Sequence, residues 1–226
     1  MNFATIALLA LSPVAIFTIA QKCKDGMFSF RNLKHKARKN TYKKRWIKGV
    51  HGENAVSEQL NLLDKNEYRV YNDLLFNLKN DITIQIDHLV VSRAGIFVVE
   101  TKNYGGVVEE MKYDRWQQRW YRKEYDFYSP IKQNESHIRS LMYVLFTKDR
   151  SLFKSFIVFP NHTTLLTKNE RVVHLNCLCK KIEEKQTHIL SYEDVNKICQ
   201  KIESRNIYNK ENIKKHHKRV DKKYMS

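Results

Sequence analysis

Two apolar runs joined by a short polar turn lie between Ile82 and Gly106, and charged residues are set inside them. The stretch reads ITIQIDHLVVSRAGIFVVETKNYGG. Apolar runs of this length, bounded by turn residues, are typical of β-strands. The sequence therefore predicts an antiparallel hairpin whose second strand ends in Glu100-Thr101-Lys102.

The position of the turn decides which residues of the hairpin face each other. If Arg93-Ala94 forms its centre, Val91 faces Ile96 and Asp87 faces Glu100. A three-residue turn would shift this register and leave Asp87 and Glu100 as separate charges in solvent. The sequence alone leaves both arrangements open.

Asp87, Glu100 and Lys102 are the residues of this hairpin that suggest chemistry. Side chains alternate along a strand, so Glu100 and Lys102 point to one face and Thr101 to the other. Two opposed carboxylates beside a core repel each other and are costly to bury without a cation. A divalent metal ion with Lys102 beside it would compensate them.

These residues resemble a known family. Asp87, followed on the next strand by Glu100-Thr101-Lys102, looks like the D…ExK signature of the PD-(D/E)xK nucleases. The longer string IDHLVVSRAGIFVVETKNYGG is similar to the hallmark of the nuclease-related domain, abbreviated NERD, and the resemblance covers residues 49–160. It implies an α/β fold, with a restriction-endonuclease-like mixed sheet flanked by helices. The implied activity is Mg²⁺-dependent hydrolysis of phosphodiester bonds in DNA, with Mn²⁺ as a possible substitute.

The resemblance also assigns roles to single residues. Asp87 and Glu100 would hold the metal through oxygen ligands, which Mg²⁺ prefers. Glu53 would be a third ligand, and the backbone carbonyl of Thr101 an additional one. Lys102 would position the attacking water or stabilise charge in the transition state.

Glu53 belongs to a helix that we predict within residues 48–64, beginning near Gly52. The apolar stripe of this helix consists of Val56, Leu60 and Leu63, and Glu53 lies one turn before it on the same side. An acidic residue in a first helical turn also complements the helix dipole. Both interpretations of Glu53 are therefore open.

A second predicted helix begins at Ser129-Pro130, with proline in its first turn. Its fragment SPIKQNESHIRSL resembles the Pro-x-x-Gln and following His pattern found downstream of the NERD motif. Gln133 would orient a water or contact the substrate. His137, one turn later on the same face, is interpreted as a surface or packing histidine.

The segment YDRWQQRWYRKEY, from Tyr113 to Tyr125, interleaves aromatic and basic residues. Aromatic rings stack on bases and basic side chains neutralise phosphates. The segment is thus predicted to contact nucleic acid through Arg115, Trp116, Arg119, Trp120, Arg122 and Lys123. The alternative is a hairpin whose rings pack inward below a solvated charged face.

The net charge of +17 is concentrated in two arms. Residues 1–48 hold 11 basic side chains and one acidic one, and residues 209–226 hold seven and two, whereas residues 49–208 are nearly neutral. Basic arms bind anionic lipids or nucleic-acid phosphates, and the sequence does not separate these partners.

Residues 2–20 are uncharged and mainly apolar, which is just long enough for a helix that spans a membrane. A signal peptide is the alternative, but basic residues follow this run and do not precede it. We predict an uncleaved anchor in the cell membrane, with the main domain in the cytoplasm.

The expected segments are an anchor at 1–20, a basic segment at 21–48, the NERD domain at 49–160, a C-terminal extension packing on it at 161–208, and a disordered basic tail at 209–226.

The sequence thus predicts a membrane-anchored nuclease. The rival prediction is a catalytically silent, membrane-tethered module that binds nucleic acid or a protein partner. The oligomeric state is left open.

Overall fold

The structure of the protein is a computed structural model that describes residues 47–79, 82–185 and 187–225. Residues 1–48 and 49–226 form two separate units, and the candidate site belongs to the second. The predicted anchor at residues 1–20 lies outside the described residues. Within the described ranges, none of the helices is both long enough and apolar enough to cross a membrane.

The fold is mixed α/β, with two mixed sheets and flanking helices. The elements in chain order are α1 (residues 47–60), β1 (Arg69–Asn77), β2 (Thr83–Ser92), β3 (Gly95–Thr101), β4 (Gly106–Glu110), β5 (Trp116–Trp120), β6 (Lys123–Phe127), α2 (Pro130–Leu145), β7 (Phe153–Phe159), β8 (Thr163–Leu166), β9 (Val172–His174), α3 (Leu178–Glu183), α4 (Tyr192–Arg205) and α5 (Lys210–Met225). Short 3₁₀ turns precede β5, β7 and α3.

The larger sheet carries the candidate site and has the strand order β1-β2-β3-β7-β9. Strands β1, β2 and β3 are antiparallel neighbours, while β7 and β9 join in parallel. One face of this sheet packs against α2 and α4, and the other against α1 and α3. The sheet is therefore covered on both faces, which explains the long apolar runs of β2 and β3.

The smaller sheet has the order β6-β5-β4-β8. Its strands β4 and β8 pair in parallel, and β5 and β6 form an antiparallel hairpin. A third apolar cluster joins this sheet to β7 and α2 through Val108, Trp116, Ile131, Ile157 and Phe159.

The predicted register of the β2–β3 hairpin is confirmed. Val91 pairs with Ile96, and His88 with Val99, around a two-residue turn at Arg93-Ala94. Gly95 follows this turn with φ of 121°, and a Cβ there would lie 2.6 Å from the Leu152 carbonyl oxygen. Glycine is required because the backbone conformation and the close approach both exclude a side chain.

Helix α2 is fixed at the place where the sequence predicts it to begin. The Ser129 side chain accepts a hydrogen bond from the Lys132 N–H, and Pro130 occupies the first turn. Fully buried Asn134 donates to the Val98 carbonyl at 2.8 Å and to Ser155 Oγ at 2.9 Å. These bonds hold the first turns of α2 against β3 and β7.

Residues 210–225 form helix α5, where the sequence predicts a disordered tail. Residue Asn206 pairs with Phe76 at the outer edge of β1, and the Ile207 N–H donates to the Leu75 carbonyl. Lys215 and Glu211 form an ion pair across one helical turn. Composition alone favours disorder here, whereas contacts with the folded body stabilise the helix.

Candidate active site

The centre of the candidate site is the end of β3. Glu100 is 2 % exposed, and Lys102 lies beside it because the two residues are on the same side of the strand. Lys102 Nζ donates to Glu100 Oε1 at 2.7 Å. Burial alone would lower the pKa of Lys102, but the neighbouring Glu100 carboxylate outweighs it and raises that pKa. Lys102 is therefore a charged ammonium group.

Helix α2 adds Gln133 and His137 to this pair. Gln133 Nε2 donates to Glu100 Oε1 at 2.6 Å, and Gln133 Oε1 accepts from Lys102 Nζ at 2.9 Å. His137 Nδ1 lies 3.3 Å from Glu100 Oε2, but without hydrogen-bond geometry, so that buried oxygen has no hydrogen-bond partner among the described residues. The one amide of Gln133 thus holds both charged groups in place.

Asp87 lies one position beyond the last paired residues of β2 and β3, opposite Glu100. Its Oδ2 accepts the Thr101 N–H at 2.9 Å. Burial, followed by the nearby Glu100 and Glu53 carboxylates, raises the pKa of Asp87 well above its usual value. The structure therefore brings Asp87, Glu100 and Lys102 together, as the register predicts.

Glu53, on α1, belongs to the same group of carboxylates. Burial, followed by Asp73 and Glu100, raises the pKa of Glu53 to about 6. This position agrees with the prediction that Glu53 lies on the inward side of its helix. Helix α1 extends at least from residue 47 and not from Gly52, so Glu53 is not in the first turn of the helix.

Asp73, on β1, is a carboxylate that the sequence analysis missed. It lies opposite Asp87 in the β1–β2 register, between the pairs Asn72–His88 and Leu74–Ile86. Its φ of 54° interrupts the ladder at that point, and left-handed backbone is uncommon for any residue but glycine. The same register arithmetic that places Asp87 opposite Glu100, applied to β1, could have identified it.

His88 supports the site from the opposite face of the sheet. His88 Nδ1 lies 2.7 Å from Asn72 Oδ1, and Nε2 lies 3.1 Å from Thr101 Oγ1. Burial lowers the pKa of His88 to about 4, so the ring is neutral. Because the Asn72 oxygen accepts, Nδ1 carries the proton and the Thr101 hydroxyl donates to Nε2. This chain of bonds fixes Thr101, whose N–H holds Asp87.

The side chains of this cluster offer the kind of oxygen ligands that a hard divalent cation binds. Asp87 and Glu100 offer carboxylate oxygens, and Glu100 Oε2 is a buried anionic oxygen without a hydrogen bond. In the described part of the chain, no three or more His, Cys, Asp or Glu side chains converge closely enough to hold a metal ion as they stand. Glu53 and the carbonyl of Thr101 stay predicted ligands.

The predicted nucleic-acid segment forms the β5–β6 hairpin. Trp116 is a correction, because it is 1 % exposed and packs in the core with Val108 and Phe159. Arg115 pairs with Asp126 at 3.1 Å, and Arg119 pairs with Glu109 at 3.3 Å. The exposed residues of this segment include Trp120, Arg122 and Lys123. The inward-packed alternative thus holds for Trp116 but not for Trp120.

The site geometry and comparisons with known proteins together assign the chain to a protein family. Residues 48–160 match the model of the nuclease-related domain, and the chain belongs to that family. An uncharacterized protein of Bacillus anthracis is 33 % identical over 183 residues, which cover 78 % of this chain and 85 % of that relative. No solved structure matches the chain.

Proposed function

We propose that this protein is a metal-dependent nuclease that hydrolyses phosphodiester bonds in DNA. The observation that supports this most is the cluster of Asp87, Glu100, Lys102 and Gln133 in a chain of the nuclease-related domain family. A structural ion pair would need only one carboxylate beside Lys102. Here further carboxylates lie close enough for Glu100 to raise the pKa of both Asp87 and Glu53, after burial.

Asp87 and Glu100 would hold the cation, with Glu53 and the Thr101 carbonyl as further ligands. Mg²⁺ suits this all-oxygen set, and Mn²⁺ fits the same donors. A bound divalent cation lowers the pKa of a water and neutralises charge on the phosphate. Burial, followed by repulsion from Glu100 and Glu53, raises the pKa of Asp87 well above its usual value. This supports the proposal, because a bound cation would compensate the buried negative charge.

Lys102 supplies a fixed positive charge beside the position of the reacting phosphate. Preorganised charges stabilise a transition state best when they need no rearrangement during the reaction. Gln133 holds Lys102 in a fixed position, because it hydrogen-bonds both Lys102 and Glu100. We assign Lys102 to charge stabilisation and Gln133 to positioning.

We further propose that residues 1–20 anchor the protein in the cell membrane, with the nuclease domain in the cytoplasm. The support is the uncharged apolar run followed by 11 basic residues between residues 22 and 48. Basic residues beside a membrane helix favour the cytoplasmic side, and they also attract anionic lipids.

The test uses the full chain, purified in detergent and incubated with plasmid and single-stranded DNA in Mg²⁺ or in EDTA. We expect cleavage in Mg²⁺ that Asp87→Asn and Lys102→Ala abolish. Glu193→Gln, which removes an exposed carboxylate on α4, is the control and should cut normally.

Two outcomes contradict the proposal. Cleavage that survives in both site variants would show that this cluster does not perform the reaction. Metal-independent DNA binding that weakens steeply with salt, with no cleavage under any condition, would favour the catalytically silent module.

A further inference from the structure

Helix α5 packs on the first residues of β2, the strand that carries Asp87, and its exposed side is cationic. Between residues 210 and 220 of this helix, the half-buried residues are Asn212, Ile213, His216 and His217, and the exposed ones are Lys210, Glu211, Lys214, Lys215, Lys218, Arg219 and Val220. The repeat of three and four residues separates an inner from an outer face. Between residues 210 and 220, the outer face thus carries five cationic side chains and one carboxylate.

Three polar contacts dock α5 on the first residues of β2, two from the half-buried histidines and one from the exposed Arg219. His216 Nδ1 lies 2.8 Å from Thr83 Oγ1, and Arg219 Nη1 donates to the same oxygen at 3.3 Å. His217 Nε2 lies 3.3 Å from Gln85 Oε1. The helix therefore has a defined position on the strand that carries Asp87.

The same contacts lead directly to the carboxylates of the site. Gln85 also hydrogen-bonds the Asp73 carboxylate, which lies opposite Asp87. On the other side, His137 is near enough to His216 to help lower its pKa, although burial contributes most. Helix α5 is thus linked to Asp73 through Gln85 and to Glu100 through His137.

An acidic site needs nearby cations if its substrate is a polyanion. The carboxylates of Asp87, Glu100 and Glu53 repel phosphates in the absence of a metal. The β5–β6 hairpin offers the exposed Arg122 and Lys123 for this purpose, because Arg115 and Arg119 are paired with carboxylates. On α5, Lys215 is likewise paired with Glu211. The outer face of α5 has the complementary charge.

We propose that the outer face of α5 binds the sugar–phosphate backbone of a nucleic acid beside the carboxylate cluster. The cations from Lys210 to Arg219 extend over about 13 Å of helix, at a rise of about 1.5 Å per residue, which reaches several consecutive phosphates. The contact is independent of base sequence, because it involves charge alone. This inference rests on the proposed function only for the choice of nucleic acid as the ligand.

The experiment measures binding without cleavage. The full chain in detergent is titrated against a fluorescent 20-nucleotide DNA, single-stranded and duplex, in EDTA at several salt concentrations. The variant Lys214→Glu/Lys218→Glu is compared with Lys148→Glu/Lys180→Glu, which changes the net charge equally on exposed lysines of other elements. Lysine and glutamate have similar helix propensities, so α5 should persist, and circular dichroism verifies this.

We expect the α5 variant to bind about tenfold more weakly and to lower the slope of log Kd against log salt by about two, one for each lost phosphate contact. The control should bind like the wild type. Equal weakening in both variants would overturn the inference, because net charge alone would then explain the loss. Unchanged DNA binding would also overturn it.

A parallel titration with phosphatidylserine vesicles tests whether this surface binds anionic lipid and not nucleic acid. If the α5 variant loses vesicle binding while DNA binding is unchanged, the surface is a lipid contact and the inference is overturned. Since no arm measures cleavage, a protein that binds DNA through α5 but never cuts would leave this inference intact and refute only the nuclease. The Lys214→Gln/Lys218→Gln variant repeats the test if charge reversal unfolds the helix.

Discussion

Lys102 Nζ lies 2.7 Å from Glu100 Oε1, and the two side chains are only 15 % and 3 % exposed. Both charges of this pair are buried, whereas pairs such as Lys132–Asp114 and Lys197–Glu193 are substantially solvated. Burying two charges is costly unless each is paired and hydrogen-bonded. The fold maintains this arrangement beside Asp87, which supports the catalytic role proposed for it.

Removal of Lys102 should destabilise the protein far more than removal of a lysine from an exposed pair. Lys102→Met leaves Glu100 buried without its cation, which costs about 3–5 kcal/mol. Lys132→Met, which breaks an exposed pair with Asp114, should cost much less, because solvent screens exposed ion pairs. Urea unfolding followed by tryptophan fluorescence measures both. Equal losses would mean that the site pair is solvated in solution.

The stability should fall as the pH rises through the pKa of Glu53, when no divalent cation is present. Burial, followed by Asp73 and Glu100, raises that pKa from 4.5 to about 6, so the folded chain holds this proton to a higher pH than the unfolded chain. The stabilisation is therefore complete below pH 4.5 and lost as the pH passes 6, by about 1–2 kcal/mol. Melting temperatures in EDTA between pH 4.5 and 7.5 measure it.

Glu53→Gln is the variant that isolates this effect, and Glu58→Gln, an exposed position on the same helix, is its control. The difference in melting temperature between wild type and Glu53→Gln should change across this pH range, whereas the difference for Glu58→Gln should stay flat. Saturating Mg²⁺ should reduce the pH dependence of the wild type. A pH-independent difference for Glu53→Gln would show that Glu53 lies in solvent.

Gln133→Ala should impair catalysis by disturbing the groups that Gln133 holds. Loss of its bonds to Glu100 and Lys102 leaves both free to reorient, and losses of about 10–100-fold in activity or metal affinity are typical for such supporting residues. We expect a lower rate of DNA cleavage and a higher Mg²⁺ concentration for half-maximal rate. Gln117→Ala, on the β5–β6 hairpin, should alter neither quantity. If Gln133→Ala changes the melting temperature but neither the cleavage rate nor the Mg²⁺ dependence, Gln133 has only a packing role.

Substitution of Trp116 should mainly lower stability, whereas substitution of Trp120 should mainly weaken the binding of nucleic acid. Trp116 is 1 % exposed and Trp120 43 %, so Trp116→Ala should cost about 3–5 kcal/mol of unfolding free energy. Trp120→Ala should cost much less and should weaken binding of single-stranded DNA if its ring stacks on bases. Denaturation and anisotropy titrations, made on both variants, test this. If Trp120→Ala does not change binding, the hairpin makes no base contact.

The part of the site that sequence predicts well is the part governed by local pairing. A two-residue turn fixes the β2–β3 register, and that register brings Asp87 to Glu100 without further information. Gln133 is also placed correctly, because Ser129-Pro130 sets the start of α2 and the helical period then directs one face to the sheet. Turn chemistry and periodicity are properties of short segments, which a single sequence records.

The features that the sequence did not predict depend on contacts between distant segments. Trp116 is buried because β4 pairs in parallel with β8, more than 50 residues later, which creates a second sheet with its own core. His137 approaches Glu100 only because Asn134 draws α2 onto β3 and β7. Helix α5 forms on the body of the protein, although its composition favours disorder.

The short pairing of Asn206 and Ile207 with β1 also governs how this protein can be shortened safely. Strand β1 is an outer strand of the larger sheet, and exposed backbone donors and acceptors on such a strand recruit other chains. Residues 206 and 207 occupy part of these groups. A protein cut after Arg205 would therefore tend to self-associate, whereas one cut after Asn209 would lose α5 and remain dispersed.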